Sequence, residues 1–186
     1  MALRIIAGNL KGRKLRSVPG TKTRPTANRI REAIFNILAL HVHGAKVLDL
    51  FAGTGAFGVE ALSRGAESVF FIDIDNDSIA VLKVNIGNIS LESHTKIIRW
   101  DPTRNLNCLQ SWRPAFNLVF IDPPYNKNLI APTLQSLHSS QSMEKGARIV
   151  VEHSSQEPIL TDQFMFKLAD QRSYGKTLVS FLNYVV

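Results

Sequence analysis

VLDLFAGTGAFG, residues 47–58, predicts a buried strand that passes through a glycine-rich turn directly into a helix. Gly53 and Gly55 let the backbone turn tightly and approach a ligand closely, and the N-terminus of the predicted helix lies just beyond them. Loops at the carboxyl ends of parallel strands are where open α/β folds hold their ligands. The stretch therefore predicts an open α/β sheet with a cofactor at this loop.

Two acidic residues narrow the kind of cofactor. Asp49 precedes the first glycine, where a carboxylate suits a positively charged amine. Asp73 stands twenty residues after Gly53, at the end of the next predicted strand, where it suits ribose hydroxyls. Gly53, Gly55 and Gly58 also match the G-x-G-x-x-G pattern of nicotinamide-binding folds, which alone is a weak signal. The acid before the first glycine favours S-adenosylmethionine over a nicotinamide.

A second motif, NLVFIDPPY at residues 117–125, predicts a buried strand that ends in Asp122. The two prolines stop the strand because a proline has no backbone N–H and a fixed φ. The Asp122 carboxylate and the Pro123 carbonyl offer two acceptors to an exocyclic amine, and Tyr125 offers a ring for a base to stack on. This chemistry has a use in methyl transfer to a base amine and none in hydride transfer. The alternative is a plain strand-ending turn, because Asp-Pro commonly opens turns.

From residue 44 onward, predicted strands alternate with helices, and the chain ends in two strand-like runs. Because such alternation gives a right-handed parallel sheet, the sequence predicts an α/β fold with a hairpin at one edge. Glu152 and His153 end one of the predicted strands. They either border the pocket for the target base or simply end the strand. The predicted strands are 46–50, 68–72, 95–99, 117–121, 147–152, 164–170 and 177–185, and the predicted helices are 56–64, 77–88, 103–109 and 129–139.

Positive charge is concentrated near the N-terminus. The net charge is +7, residues 1–31 hold nine basic and no acidic side chains, and the other 155 residues hold 13 basic and 15 acidic ones. A field concentrated in this way is typical of a nucleic-acid-binding surface, with a solvated basic tail as the alternative. We therefore divide the chain into a basic, RNA-binding extension, residues 1–43, and a cofactor-binding domain, residues 44–186.

Local patterns within the extension predict a hairpin followed by a helix. Residues 3–7 and 12–18 flank a turn with Gly and Asn chemistry. A helix follows from Arg24, and Arg31 is predicted to lie away from its apolar face. That face comprises Ile30, Ala33, Ile34, Ile37 and Leu38.

Both motifs, in this order, resemble those of class I methyltransferases that modify amino groups of bases. The segments RIIAG at 4–8, GRKL at 12–15 and TRPT at 23–26 are similar to the RsmD family, which methylates guanine N2 in bacterial 16S ribosomal RNA. This resemblance implies a Rossmann-like sheet of order 3-2-1-4-5-7-6 with the last strand antiparallel. It also implies S-adenosylmethionine as the cofactor.

The resemblance further implies roles for individual residues. The methionine part of the cofactor would be held by Asp49, Gly53 and Gly55. Phe51 belongs to the same cofactor-binding motif. The ribose would be bound by Asp73 and the adenine amino group by Asp101. Pro102 departs from the family pattern, because it has no N–H to contact the adenine ring. The target-base residues would be Asp122, Pro123 and Tyr125, and the RNA-binding residues Arg4, Arg13, Lys14, Arg24 and Arg29.

Composition excludes some classes of protein and leaves others open. No apolar run approaches the roughly 20 residues of a membrane span. A single cysteine precludes an internal disulfide, and the five histidines show no metal-ligand spacing. We expect a cytoplasmic monomer without a metal, whose partner is 16S rRNA in the small ribosomal subunit or an assembly intermediate. The alternatives are a DNA adenine-N6 or cytosine-N4 methyltransferase, a nicotinamide-dependent oxidoreductase and a non-catalytic RNA-binding protein.

Overall fold

One mixed sheet of seven strands organises the chain, in a computed structural model that describes residues 3–20, 25–110, 112, 115–159 and 165–186. In chain order the strands are β1 (Lys46–Leu50), β2 (Ser68–Asp73), β3 (Thr95–Arg99), β4 (Phe116–Ile121), β5 (Met143–Ser154), β6 (Phe166–Tyr174) and β7 (Thr177–Tyr184). Across the sheet their order is β3-β2-β1-β4-β5-β7-β6. The first five are parallel, and β7 lies antiparallel between β5 and β6. The predicted fold class, strand order and edge hairpin are confirmed.

Within the described residues, α-helices cover the two faces of the sheet unequally. Apolar side chains from three helices and the N-terminal segment pack on one face. A single helix and the 3-10 turn Asn107–Leu109 cover the other. The helices of the first face are α1 (Pro25–Ile37), α3 (Ala56–Ser63) and α4 (Asn76–Ile89); α5 (Ile130–Ser139) covers the second, and the short α2 (Ala39–Val42) follows α1.

The central strand β4 is buried on both faces, which explains its continuous apolar sequence. Alternate residues of a strand point to opposite sides of the sheet. Leu118 and Phe120 accordingly join the core under α1 and α3, whereas Val119 and Ile121 join the core under α5. The same alternation decides which face each residue at the carboxyl end of a strand occupies.

Two local predictions differ from the structure. The helix predicted over 103–109 is reduced to the 3-10 turn, because Asp101 accepts hydrogen bonds from the backbone N–H and the hydroxyl of Thr103 and so fixes a turn. On α1, Ile37 is 38% exposed, whereas Phe35 is fully buried. Arg31 is only 3% exposed, so its predicted position away from the core was wrong.

The N-terminal arm, residues 3–20, folds back on α3 and α4. The predicted hairpin is present as one antiparallel bridge between Arg4 and Lys14. Its turn passes so close to α3 that a Cβ on Gly8 would lie 1.8 Å from the Ser63 carbonyl oxygen, which requires glycine at that position. The arm therefore shares one core with the sheet.

Asn85 joins the arm to the glycine-rich loop. Its side-chain oxygen accepts from the Arg16 N–H at 2.7 Å, and its amide nitrogen donates to the carbonyls of Arg16 at 3.1 Å and Thr54 at 2.9 Å. The residue is 1% exposed, so these bonds replace water that its amide would otherwise bind. One buried amide thus holds the arm and the loop together.

Glu60 on α3 is the second attachment point of the arm. Its fully buried carboxylate accepts the backbone N–H groups of Ile6 at 2.7 Å and Ala7 at 3.0 Å. It also pairs with Arg64 at 2.8 Å and lies 3.9 Å from the Arg31 guanidinium. A buried charge is tolerated only when it is paired and hydrogen-bonded, and Glu60 meets both conditions.

We predict that Glu60→Ala lowers the free energy of unfolding by about 3–5 kcal/mol, because it leaves the buried Arg31 without its counter-charge and two arm N–H groups without their acceptor. Chemical denaturation followed by circular dichroism measures the loss. The exposed Glu67 is the matched control, and Glu67→Ala should change stability by less than about 0.5 kcal/mol. Equal effects of the two substitutions would show that Glu60 does not anchor the arm.

Candidate functional site

Four carboxylates stand on the same face of the sheet, at the carboxyl ends of neighbouring strands. Asp73 ends β2, Asp49 lies near the end of β1, and Glu152 lies near the end of β5. Asp122 follows β4 directly and continues the series of Leu118 and Phe120 toward the face covered by α1 and α3. The two sequence motifs are therefore brought to one edge of the sheet, as the parallel register of β1 and β4 requires.

Asp49 is held inside the glycine-rich loop. It is 2% exposed, and its Oδ2 accepts the backbone N–H of Gly58 at 2.9 Å. Burial raises the pKa of its carboxyl to about 8; the Gly58 hydrogen bond opposes this shift, and the nearby Asp73 adds to it. A cation beside Asp49 would stabilise its ionised form, which is the property that a binding residue for an amine requires.

Asp73 organises the loop from the neighbouring strand. Its Oδ2 accepts the Gly53 N–H at 2.7 Å, and its Oδ1 accepts the Asp75 N–H at 2.9 Å. Gly53 and Gly55 both have positive φ, and a Cβ on Gly55 would lie 2.3 Å from the Leu82 side chain. Packing as well as ligand approach therefore requires glycine at position 55.

Phe51 holds the loop in a sparsely populated backbone conformation. Its φ of 59° is in the left-handed region that non-glycine residues seldom adopt. The side chain is half-buried and packs against the core on the α5 face. Such strain costs of order 1–3 kcal/mol and is concentrated at functional sites, which fits a loop shaped for a ligand.

Asp101 lies beyond β3, on the same edge, with its carboxylate already engaged. Oδ1 accepts the backbone N–H of Thr103 at 3.0 Å and its hydroxyl at 2.6 Å, and Oδ2 lies 3.3 Å from Nε of Arg104. Pro102 is buried. An adenine amino group at Asp101 would share the carboxylate with these donors.

Asp122, Pro123 and Tyr125 stand where β4 ends. Pro123 is buried, while Asp122 and Tyr125 are half-buried. The Tyr125 hydroxyl donates to Oε1 of Glu152 at 2.6 Å and lies 3.1 Å from the Thr177 hydroxyl. These two contacts, from β5 and from the start of β7, fix the orientation of the aromatic ring.

Asp122 and Glu152 form a pair of like charges. Burial raises the pKa of Asp122 well above its usual range, and the neighbouring Glu152 and Asp49 raise it further. Burial also raises the pKa of Glu152, against the effect of the hydrogen bond from Tyr125. Groups that donate hydrogen bonds into this site would stabilise both carboxylates in their ionised forms.

The basic residues predicted to bind RNA lie on the surface where the structure describes them. Arg4, Arg13, Lys14 and Arg29 are exposed, and Arg4 donates to the Gly12 carbonyl at 2.8 Å. Arg24 lies outside the described residues. Four of the five predicted residues are therefore exposed to solvent.

Sequence reasoning left the position of Glu152 open and did not include Thr177. The structure places Glu152 beside Asp122, whereas His153 points into the core, where its Nε2 lies 2.9 Å from the Ser180 hydroxyl. The sequence did contain a signal for Glu152. Glu152 lies two residues after Val150 in β5, so its side chain points to the same face of the sheet as Val150 and Asp122. Thr177 has no such signal, because its place depends on the antiparallel return of β7.

Two kinds of feature are absent from the described part of the chain. It holds no group of three or more His, Cys, Asp or Glu residues that could bind a metal ion. None of its helices combines the length and the apolar character that crossing a membrane requires.

Known proteins with similar sequences and structures include methyltransferases. Ribosomal RNA small subunit methyltransferase D of Escherichia coli (strain K12) is 33% identical over 174 residues, which span 94% of this chain and 86% of that protein. The solved structure of yhhF from Escherichia coli has a TM-score of 0.85 and 30% identity, and covers 100% of this chain and 99% of that one. The SMU.776 structure, complexed with SAH, shares the fold at a TM-score of 0.64 and 16% identity, and covers 87% of this chain and 50% of that one.

This fold is the class I methyltransferase fold, and the S-adenosylmethionine cofactor expected from the sequence is the one that suits it. The family model described as "Conserved hypothetical protein 95" matches residues 3–183, which is nearly the whole chain. The chain therefore belongs to that family, which is the RsmD family that its motifs resemble.

Proposed function

We propose that this protein transfers a methyl group from S-adenosylmethionine to the N2 amino group of a guanine in 16S ribosomal RNA. The observation that carries the proposal is the position of the Asp122-Pro123-Pro124-Tyr125 segment, at the edge of the sheet shared with the glycine-rich loop. Family membership supports the reaction, and the name of the Escherichia coli relative supports the RNA. In this proposal the protein acts as a cytoplasmic monomer on the small ribosomal subunit or an assembly intermediate.

The residues at the loop fit the cofactor. S-adenosylmethionine supplies a methyl group that its sulfonium centre has already activated. Asp49, buried and with a raised pKa, would hold the positively charged amine, and Gly53 and Gly55 let the backbone lie against the methionine part. Asp73 would accept a hydrogen bond from a ribose hydroxyl, in addition to those it accepts from backbone N–H groups. Asp101 would bind the adenine amino group. Phe51, in the same loop, would contribute to the cofactor-binding site.

At the other end of the site, the chain orients the guanine amine. The amino nitrogen is a weak nucleophile because its lone pair is conjugated with the ring. Asp122 and the Pro123 carbonyl would accept its two N–H bonds and so localise the lone pair, while Tyr125 stacks on the base. Held in this way, the lone pair would accept the methyl group that the bound cofactor supplies, with the electrons of the broken bond left on the cofactor's sulfur, and Asp122 or water would take up one amine proton. Alignment of the two reactants supplies much of the rate.

The basic arm would bind the phosphates around the target. Arg13 and Lys14 are exposed on the hairpin, and Arg29 is exposed on α1. Arg4 and Arg24 complete the proposed set. Arg31 cannot join it, because its guanidinium is buried and donates to the Arg4 carbonyl at 2.6 Å. The Asn85 and Glu60 contacts would hold this surface at a fixed position relative to the loop.

Methyl transfer from radiolabelled S-adenosylmethionine tests the reaction and the substrate together. We expect label in N2-methylguanosine when small ribosomal subunits or 16S RNA that lack the modification are supplied, and none with duplex DNA. Label found only in DNA adenine or cytosine would replace the RNA substrate by the DNA alternative.

Asp122→Asn should reduce transfer by at least about 100-fold with nearly unchanged cofactor affinity, because only the amine contact is removed.

Glu144, exposed on β5, provides the matched control for Asp122. Glu144→Gln removes one carboxylate charge away from the site and should leave both transfer and cofactor affinity at wild-type values. A parallel loss of cofactor binding in Asp122→Asn, measured by calorimetry, would assign Asp122 to the cofactor pocket instead.

Transfer should also fall as the pH is lowered. The raised pKa of Asp122 means that the group gains a proton, and loses its capacity to accept the amine, at a higher pH than an ordinary aspartate. The titratable groups that face it are Glu152, Asp49 and Tyr125. Glu152→Gln removes one like charge, so the midpoint of the single-turnover pH profile should move to lower pH. An unmoved midpoint would show that Glu152 does not act on Asp122.

RNA affinity should fall as the salt concentration rises, because basic residues of the arm contact phosphates. Each phosphate contact contributes about 0.7–0.9 to the log–log slope of affinity against salt, so Arg13→Ala with Lys14→Ala should reduce the slope by roughly 1.4–1.8. Filter binding over a range of salt concentrations measures it. The control pair Lys145→Ala with Lys167→Ala removes two exposed charges from β5 and β6 and should leave the slope unchanged. A slope insensitive to both pairs would remove the arm from the RNA-binding surface.

A further inference from the structure

Asp122 and Glu152 lie side by side because of the register between their strands. Ile121 of β4 pairs with Val151 of β5 in the parallel ladder. The next residue of each strand therefore projects to the same face of the sheet, and Asp122 and Glu152 line the same small pocket there. The target-base site thus contains two adjacent carboxylates, of which the proposed amine chemistry uses only Asp122.

Base edges differ in whether they can satisfy two neighbouring acceptors. Guanine presents N1–H and the N2 amine side by side, so two adjacent donors face outward. Adenine presents the N6 amine beside N1, and cytosine presents the N4 amine beside N3; in both bases the ring nitrogen is an acceptor. A second carboxylate next to the one that holds the amine would therefore attract guanine and repel the other two bases.

We propose that Glu152 determines the base specificity of this site, by accepting the N1–H of the guanine whose N2 amine is held by Asp122. This proposal rests on the proposed function, since it assigns a role to a second residue of the same site. Glu152 binds the base edge rather than the reacting nitrogen, so it selects the substrate and positions it.

The surroundings of Glu152 suit this role. The Tyr125 hydroxyl donates to one oxygen, Oε1, at 2.6 Å, and is itself 3.1 Å from the Thr177 hydroxyl. None of the described residues donates a hydrogen bond to the second carboxylate oxygen, so this oxygen can accept another donor. Because the Tyr125 contact orients the carboxylate and the Tyr125 ring stacks on the base, one contact would set the position of both the acceptor and the stacking surface.

RNA with 2-aminopurine in place of the target guanine tests the proposal. This analogue keeps the N2 amine but has an acceptor at N1, so it presents a lone pair to Glu152. The probe is a 16S RNA fragment made with guanine or with 2-aminopurine at the position mapped by nucleoside analysis. Wild-type enzyme should methylate guanine about 10–100-fold faster in kcat/KM, the range expected when a buried acceptor loses its donor.

Glu152→Gln is the informative variant, because its amide offers an N–H donor to the N1 of 2-aminopurine. We expect it to lower the preference for guanine by at least about 10-fold, through a loss with guanine and a gain with 2-aminopurine. Thr177→Val is the matched control. It removes the other hydrogen-bond partner of Tyr125 but keeps the Glu152 carboxylate, so the ratio of the two substrates should stay at its wild-type value.

The outcomes separate this proposal from the function it rests on. An equal loss with both substrates in Glu152→Gln, with an unchanged ratio, would mean that Glu152 only supports Tyr125, and would overturn the proposal. A wild-type ratio near one would overturn it as well. Failure of the wild-type enzyme to label guanine N2 in unsubstituted RNA would instead overturn the proposed function.

Discussion

The structure depends on accommodating four carboxylates at one edge of a sheet whose centre is apolar. Asp49 and Asp73 are almost fully buried, and Asp122 and Glu152 are close enough to raise the pKa of Asp122. Isolated charges in such a setting would be very costly. Backbone N–H groups of the glycine-rich loop bind the first two, and Tyr125 binds the last. Because those donors come from the loop after β1, the start of α3 and the segment after β4, the need to satisfy the carboxylates fixes how these elements meet.

This arrangement divides the edge into two halves whose carboxylates receive different kinds of hydrogen-bond donor. The carboxylates on β1 and β2 receive backbone hydrogen bonds from Gly58, Gly53 and Asp75. On β4 and β5, the side-chain donor to the pair is a tyrosine hydroxyl, and both pKa values are raised. Burial raises the pKa of Asp49 in the first half as well, so an external donor or cation would favour the ionised form of carboxylates in both halves.

Local sequence patterns were sufficient to predict the strands, the glycine-rich loop and the Asp122 segment, because apolar runs, glycines and prolines act over a few residues. The strand order came from family resemblance. Glu152 was not resolved, because its neighbour is set by the register between β4 and β5. Arg31 was misplaced for the same reason: its burial depends on Glu60, which is distant in sequence. Contacts between residues far apart in the chain were thus the part that patterns could not supply.

The attachments of the N-terminal arm also bear on the order of events during synthesis. Ile6, Ala7 and Arg16 find their acceptors 54, 53 and 69 residues further along the chain, on Glu60 and Asn85. The arm leaves the ribosome before α3 and α4, so it has no acceptors to dock on until these helices have emerged. During that interval its basic side chains are exposed without any acidic neighbour in residues 1–31. Docking closes loops of this length and so costs chain entropy, which means that the attachment of the arm depends on α3 and α4 rather than on its local sequence alone.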